Sequence, residues 1–164
     1  MNSILPTSIS LSLTDGSETV TKDVTVAIID VNDAAPVFTS EATFSAAENQ
    51  QAIGTITASD PEGDSFTFTI SGDELAVTSA GVLTFVETPD YETKTTYTAT
   101  VTVVDTEDNS ATQDITVNVT NVNDVAPVFT SEATLSAAEN QTAIGTVSAT
   151  DADGDSVTYN RTSD

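Results

Sequence analysis

Apolar and polar residues alternate with a period of two in seven short runs of this chain. They are SISLSLT (8–14), DVTVAII (23–29), GTITAS (54–59), SFTFTI (65–70), VLTFVE (82–87), YTATVTVV (97–104) and DITVNVT (114–120). Thr and Val dominate them, the residue types that suit a pleated, half-buried surface. No segment longer than eight residues carries helical periodicity. Gly, Asp, Asn and Pro punctuate the runs at the short spacing of an antiparallel sandwich. About seven strands fall within 36–125, the number of an immunoglobulin-like unit. The pattern predicts an all-β fold: a seven-stranded Greek-key immunoglobulin-like sandwich, repeated in tandem. Cys and Trp are both absent, so the Cys…Trp…Cys signature of true immunoglobulin domains is missing.

The tandem reading comes from self-similarity, which decides the fold before any single motif does. DVNDAAPVF at 30–38 returns as NVNDVAPVF at 121–129, 91 residues on, and the residues after Pro36 align without a gap to those after Pro127. Backwards, DVTVAIIDVND (23–33) matches DITVNVTNVND (114–124). The expected organisation is a C-terminal part of a preceding repeat at 1–34 (two final strands and a linker), a complete repeat at 35–125, and an N-terminal part of a following repeat at 126–164. The chain then reads as a slice of a longer array. The two partial repeats fall below the roughly 40 residues needed for an unaided core, so order is expected in them only where they dock or pair. Pro36 and Pro127 belong at strand starts, because proline cannot donate to a central ladder. Phe38 and Phe129 then anchor those strands as core residues.

Charge narrows the possible partners. There are 26 acidic residues against Lys22, Lys94 and Arg161, a net charge of −23. Nucleic acid and anionic membrane both need basic patches and are not expected as partners. No apolar run is long enough for a membrane span, and Met1 is not followed by a basic segment with an apolar core. With neither Cys nor His, soft and borderline metals lose their preferred ligands, and only oxygen donors remain in number.

The acids and asparagines of the complete unit fall between strands. They are Glu48-Asn49, Asp60-Pro61-Glu62, Asp90-Tyr91-Glu92, Asp105 and the Asn-Asp pairs at 32–33 and 123–124. Counting strands puts Glu48, Asp90, Glu92 and the 123–124 pair towards one end of the sandwich. Asp60, Glu62, Asp105 and the 32–33 pair fall towards the other. Head-to-tail stacking gathers about six or seven oxygen-bearing side chains at each joint, within the 6–8 oxygen ligands that Ca²⁺ takes. Uncompensated, each close carboxylate pair costs about 1 kcal/mol at 4 Å in water, and more near a protein surface. Calcium is therefore the expected cofactor.

The linkers DVNDAAP and NVNDVAP, the AEN at 47–49 and 138–140, the DPE and DAD at 60–62 and 151–153, the PDYE at 89–92 and the VVD ending at Asp105 together resemble the cadherin repeat. The likeness is to its acidic form in large bacterial surface proteins. The resemblance implies up to three calcium ions per joint. At the 121–127 joint, Glu48, Asp90, Glu92, Asn123, Asp124, Asp151 and Asp153 match the family's ligands. At the 30–36 joint, Asp30, Asn32, Asp33, Asp60, Glu62 and Asp105 match. Departures are Ala34 and Val125 where a second Asn is usual, Glu62 in place of Asp, and Asn121 where the first linker has Asp30.

The function expected from this resemblance is a calcium-rigidified extracellular segment of a bacterial-type adhesin or surface protein. Its partners would be calcium, adjacent repeats of the same chain, and a homophilic or polysaccharide partner. The alternative is a carbohydrate-binding module, with Tyr91 and Tyr159 as candidate platform residues. An EF-hand over 151–162 fails at Ser156, where Gly is needed, and at Thr162, where Glu is needed. No His, Trp or Gly-rich loop supports a glycosidase built on Asp90 and Glu92, so no enzymatic activity is expected.

Overall fold

The computed structural model describes residues 7–29 and 31–162. Among them every regular element is a strand. β1 (Thr7–Thr14) and β2 (Thr19–Val26) form an antiparallel hairpin. The central unit holds β3 (Val37–Phe38), β4 (Thr43–Ala47), β5 (Ala52–Thr55), β6 (Ala58–Ser59) and β7 (Phe66–Ile70). It continues with β8 (Leu75–Val77), β9 (Val82–Phe85), β10 (Thr96–Asp105) and β11 (Ser110–Thr120). Beyond it lie β12 (Val128–Phe129) and β13 (Ala149–Thr150), paired with each other.

In the central unit β4, β11, β10 and β7 form one sheet in that order, with β4 parallel to β11 and the other pairs antiparallel. The second layer is β5-β9-β8 together with the short β3-β6 pair. β3 and β4 are two halves of one strand that changes sheets. The backbone N–H groups of Thr39 and Ser40 both reach the carbonyl of Thr57, at 2.8 and 3.2 Å, and turn the corner. β5 and β6 are likewise halves of one strand, interrupted where the Ile56 N–H leaves the ladder for the carbonyl of Gly81 at 2.8 Å. Seven strand runs result, the number expected for the unit, two of them broken.

Inward positions of both layers fill a single core of Ala46, Ile56, Phe68, Leu75, Leu83, Phe85, Val101, Val103, Ile115, Val117 and Val119. Burying each large apolar side chain contributes about 1.5–3 kcal/mol. Phe38 packs on this core, 6.2 Å from Phe68 between ring centroids, so its anchoring role holds. Tyr97 meets Phe85 edge-on at 5.0 Å.

Three details differ from the alternation pattern. β2 runs over Thr19–Val26 rather than 23–29, because its ladder is set by the turn at Asp15 to Glu18. β4 and β8 are strands that the pattern omits. β4 is rich in Ala and Ser and is held by parallel pairing to β11, from Thr43 beside Thr116 to Ala47 beside Thr120. β8 is three residues long, too short to show a period.

Residues after 126 repeat part of this geometry. Val128 pairs with Thr150 and Phe129 with Ala149, as Val37 pairs with Ser59 and Phe38 with Ala58. The N–H groups of Thr130 and Ser131 both reach the carbonyl of Ser148, at 2.8 and 3.2 Å. These are the same distances as at the first corner.

Candidate metal centre

At the far end of the sandwich, β4 stops at Ala47 and delivers Glu48 into the junction with the 121–125 linker. Glu48 is buried, with only 3% of its surface exposed. Its two carboxylate oxygens accept the N–H groups of Tyr91 and Val122, each at 2.7 Å. Asn49 follows at φ 64°, a left-handed conformation that Asn tolerates better than most residues. This turns its N–H onto the carbonyl of Pro89 at 3.0 Å, and its side-chain amide donates to the Asp124 carboxylate.

From the other side of the linker, one carboxylate oxygen of Asp153 accepts the N–H groups of Asp124 and Val125, at 3.2 and 2.9 Å. The backbone carbonyl of Asp153 accepts the Asn121 amide at 2.8 Å. Glu48, Glu92, Asp124 and Asp153 thereby each offer one carboxylate oxygen within 4.8 Å of the others.

At the near end, Asp60 ties its loop with one oxygen, which accepts the N–H groups of Glu62 and Asp64 at 2.9 and 3.0 Å. The Glu62 carboxylate accepts the N–H of Ala34 at 3.1 Å, as Asp153 accepts that of Val125 at the equivalent position. Asp60, Glu62 and Asp64 offer oxygens within 4.8 Å of one another, and so do Asp151, Asp153 and Asp155.

Asp105 is buried beside Asn32. One of its oxygens accepts the N–H groups of Glu107 and Asn109, at 2.8 and 2.9 Å, and the other accepts the Asn109 amide at 2.9 Å. Burial pushes its carboxyl pKa up. The donors from Asn109, Glu107 and Asn32 outweigh burial and hold the pKa below the ordinary aspartate value.

The donor chemistry fits a hard divalent cation. Opposed Ca²⁺ ligands at 2.3–2.6 Å stand about 4.6–5.2 Å apart, the scale of the carboxylate clusters. One oxygen of Asp60 and one of Asp153 are buried with no hydrogen-bond donor. A buried acceptor without a partner carries a desolvation cost that a cation removes. Crowding is also visible in Glu92. Burial, and then the charges of Glu48 and Asp153, push its carboxyl pKa above the ordinary glutamate value.

Of the residues expected at the joints, Glu48, Glu92, Asp124 and Asp153 converge on one point. Asp60 and Glu62 converge on another, and Asp151 stands beside Asp153. Asn32 lies with Asp105 and Asn109. Asp90 does not join Glu92. Its carboxylate caps the following turn through the Thr93 N–H and hydroxyl, at 3.1 and 3.0 Å. Asp33 and Asn123 stand exposed on their linkers. Asp30 lies outside the described residues. Asp64 and Asp155 are members that sequence reasoning passed over. The signal for both was the Gly-Asp that closes DPEGD and DADGD. Tyr91, the candidate sugar platform, packs against the core.

The family model of the bacterial Ig domain matches residues 32–118. The chain belongs to the bacterial Ig domain family. No curated protein matches it. Among solved structures, this bacterial Ig chain is similar to the extracellular cadherin domains 3–6 of protocadherin gamma B2. Identity is 26% over 82% of this chain and 39% of that one, with a TM-score of 0.68. It is similar also to the protocadherin gammaB7 EC3–6 cis-dimer structure, at 25% identity over 90% of this chain and 42% of that one, TM-score 0.75. Mouse cadherin-23 EC22–24 shares the fold, at 22% identity over 84% of this chain and 50% of that one, TM-score 0.63. The chain thus spans at most half the length of each of these structures. It is a cadherin-like repeat, and domains of this kind are structural modules rather than enzymes. No helix of the described residues is long and apolar enough to cross a membrane.

Proposed function

We propose that the chain is a calcium-binding, calcium-rigidified segment of an extracellular adhesion or surface protein, with repeats meeting at the 30–36 and 121–127 linkers. The observation that carries this reading is the convergence of Glu48, Glu92, Asp124 and Asp153 from two sides of one linker, with a buried Asp153 oxygen lacking a donor. Glu48 and Glu92 belong to the central unit and Asp153 to the next, so a cation held by all three cross-links the two. Bound calcium cancels the carboxylate repulsion and fixes the angle between units, and stiffness is the working property. Extracellular modules bind calcium at about 10⁻⁴–10⁻³ M, a range filled outside cells and empty in the cytosol. The similarity to the extracellular cadherin domains of protocadherin gamma B2 supports an extracellular, adhesion-type setting.

Calorimetric titration of the chelator-stripped chain, in about 0.15 M salt to screen loose surface attraction, tests this. Saturable calcium uptake is expected, with Asp124→Ala removing the tightest site. Magnesium, which demands near-ideal octahedral geometry, is expected not to replace calcium. Heat no greater than dilution, or uptake unchanged in Asp124→Ala, overturns the reading.

The raised pKa of Glu92 adds a pH dependence. With its pKa above the ordinary value, protonated Glu92 stabilises the calcium-free joint. That contribution is full below the ordinary glutamate pKa and is lost as pH rises through the raised one. Calcium must displace the same proton. Binding is therefore expected to release protons and to weaken as pH falls into that window. Titrations in two buffers of different ionisation enthalpy read the proton count, and a count of zero throughout the window contradicts the linkage.

A further inference from the structure

At the 30–36 joint one side chain meets more oxygen atoms than it has hydrogens to give. Asn109 lies in the turn from β10 to β11, directly after Asp108 at φ 67°. Its side-chain nitrogen donates to the Asp105 carboxylate at 2.9 Å and to the Asn32 side-chain oxygen at 3.1 Å. It donates also to the Asn32 backbone carbonyl, at 3.3 Å. An amide NH₂ carries two hydrogens, so three acceptors share two donors, and only the nitrogen end of the amide suits a place ringed by oxygens. Asn32 is engaged from its other end as well, where its NH₂ donates to the Thr106 hydroxyl at 3.4 Å. Two residues further on, the Ala34 N–H meets the Glu62 carboxylate at 3.1 Å. The linker is thus tied to the β10–β11 turn at Asn32 and to the Asp60 loop at Ala34.

The tie at Asn32 carries no net charge. A lysine or arginine in its place would gather the same oxygens with a full positive charge and would oppose the entry of a cation. An amide gathers them and leaves their negative potential intact. Each carbonyl or carboxylate oxygen has two lone pairs, so an oxygen that accepts from Asn109 keeps one for an ion. The 121–127 joint has a tie of the same kind, where Asn49 of the central unit donates its amide to the Asp124 carboxylate.

We propose that Asn109 is a positioning residue of the 30–36 joint: it gathers Asn32 and Asp105 around one point before calcium arrives, and so sets how tightly that joint holds the ion. The proposal rests on the calcium reading above. Asn109 is not itself a ligand, because the NH₂ that faces these oxygens is a donor. Its effect is preorganisation. With the linker already held at Asn32, binding does not have to order it, and that ordering would otherwise be subtracted from the affinity.

Asp124→Ala, which removes the site at the other joint, isolates this one. In that background Asn109→Ala is expected to weaken calcium uptake by about 10–100-fold, the usual loss when a group that orients metal ligands is removed. Asn109→Gln keeps both donors on a longer arm and is expected to recover part of the loss, which a role in packing alone would not produce. A second measurement needs no calcium. In chelator, the backbone NMR order parameters of Asn32 and Asp33 are expected to fall from the rigid range, about 0.85, towards the flexible range below about 0.6 in Asn109→Ala. Those of Val101 and Val103 in β10 are expected to stay unchanged, since Asn109 lies outside the core. Affinity unaltered by Asn109→Ala, a Gln variant no better than the Ala variant, or order parameters that stay rigid each overturn the proposal. So does a wild type that takes up calcium when the Asp124→Ala chain takes up none, since the 30–36 joint is then not a site. Wild type that takes up no calcium overturns the calcium reading and this proposal together, whereas each of the other outcomes overturns this proposal alone.

Discussion

Glu48→Ala is expected to lower the thermal midpoint of the central unit in chelator by about 5–15 °C and to abolish calcium uptake at the 121–127 joint. Its carboxylate is the buried connection between three segments: the end of β4, the turn at Tyr91 and the linker at Val122. Truncation leaves two N–H groups without their acceptor. A buried donor left unpaired costs about 1–3 kcal/mol. Val122 is exposed and recovers a water partner, whereas Tyr91 is half-buried and does not. Removing one of four crowded carboxylates returns some repulsion energy, so the net is about 1–2 kcal/mol. For a domain of 60–100 residues each kcal/mol moves the midpoint by about 4–8 °C. Glu48→Gln keeps one carbonyl acceptor and turns an amide donor towards the second N–H, so it is expected to fall between wild type and Glu48→Ala in stability. Circular dichroism melts in chelator and in millimolar calcium read both effects. Calcium is expected to raise the wild-type midpoint and to leave that of Glu48→Ala unchanged. A midpoint within 2 °C of wild type for Glu48→Ala in chelator removes the buried connection as a source of stability.

The architecture was largely legible because polar and apolar residues alternate cleanly along β7, β10 and β11, and their inward residues belong to the core. The two broken strands were not legible. The change of sheet between β3 and β4 depends on the Thr57 carbonyl receiving two N–H groups from a corner distant in sequence. β4 carries Ala and Ser where β-propensity offers nothing, and its partner β11 decides it. At the site, period and spacing brought Glu48, Glu92, Asp124 and Asp153 within view. Asp90 stands outside that group, and its carboxylate takes the local partner that Thr93 offers, a contact that spacing alone does not announce. Asp64 and Asp155 were hidden for the converse reason. Only once Asp60 and Asp151 tie their loops through backbone N–H groups do the fifth residues come back beside the first.

Gly81→Ala is expected to destabilise the central unit by about 3–5 kcal/mol, a large share of the 5–15 kcal/mol that holds a typical domain folded. Gly81 closes the turn from β8 to β9 at φ +89°, with its N–H on the Thr78 carbonyl at 2.9 Å. Its own carbonyl accepts the Ile56 N–H at the break between β5 and β6, which draws the turn against the opposite strand. A Cβ built here stands 2.2 Å from the Ile56 carbonyl oxygen and 3.1 Å from the ring of Phe68. The φ alone costs about 1–3 kcal/mol for a residue with a side chain. The contact adds the penalty of an overpacked core, about 1–3 kcal/mol, because Ile56 is buried and its own N–H is held on the Gly81 carbonyl, so it cannot withdraw freely. Gly72 separates the two terms. It has nearly the same φ, +83°, and nothing within 4 Å of its Cβ position. Gly72→Ala is therefore expected to cost the conformational part alone. Urea unfolding of both variants, with unchanged m-values, gives the difference. Equal losses at the two positions mean that the turn does not press on Ile56. A Gly81 loss at least 1 kcal/mol larger means that the turn presses on Ile56 at the point where the β5–β6 strand breaks.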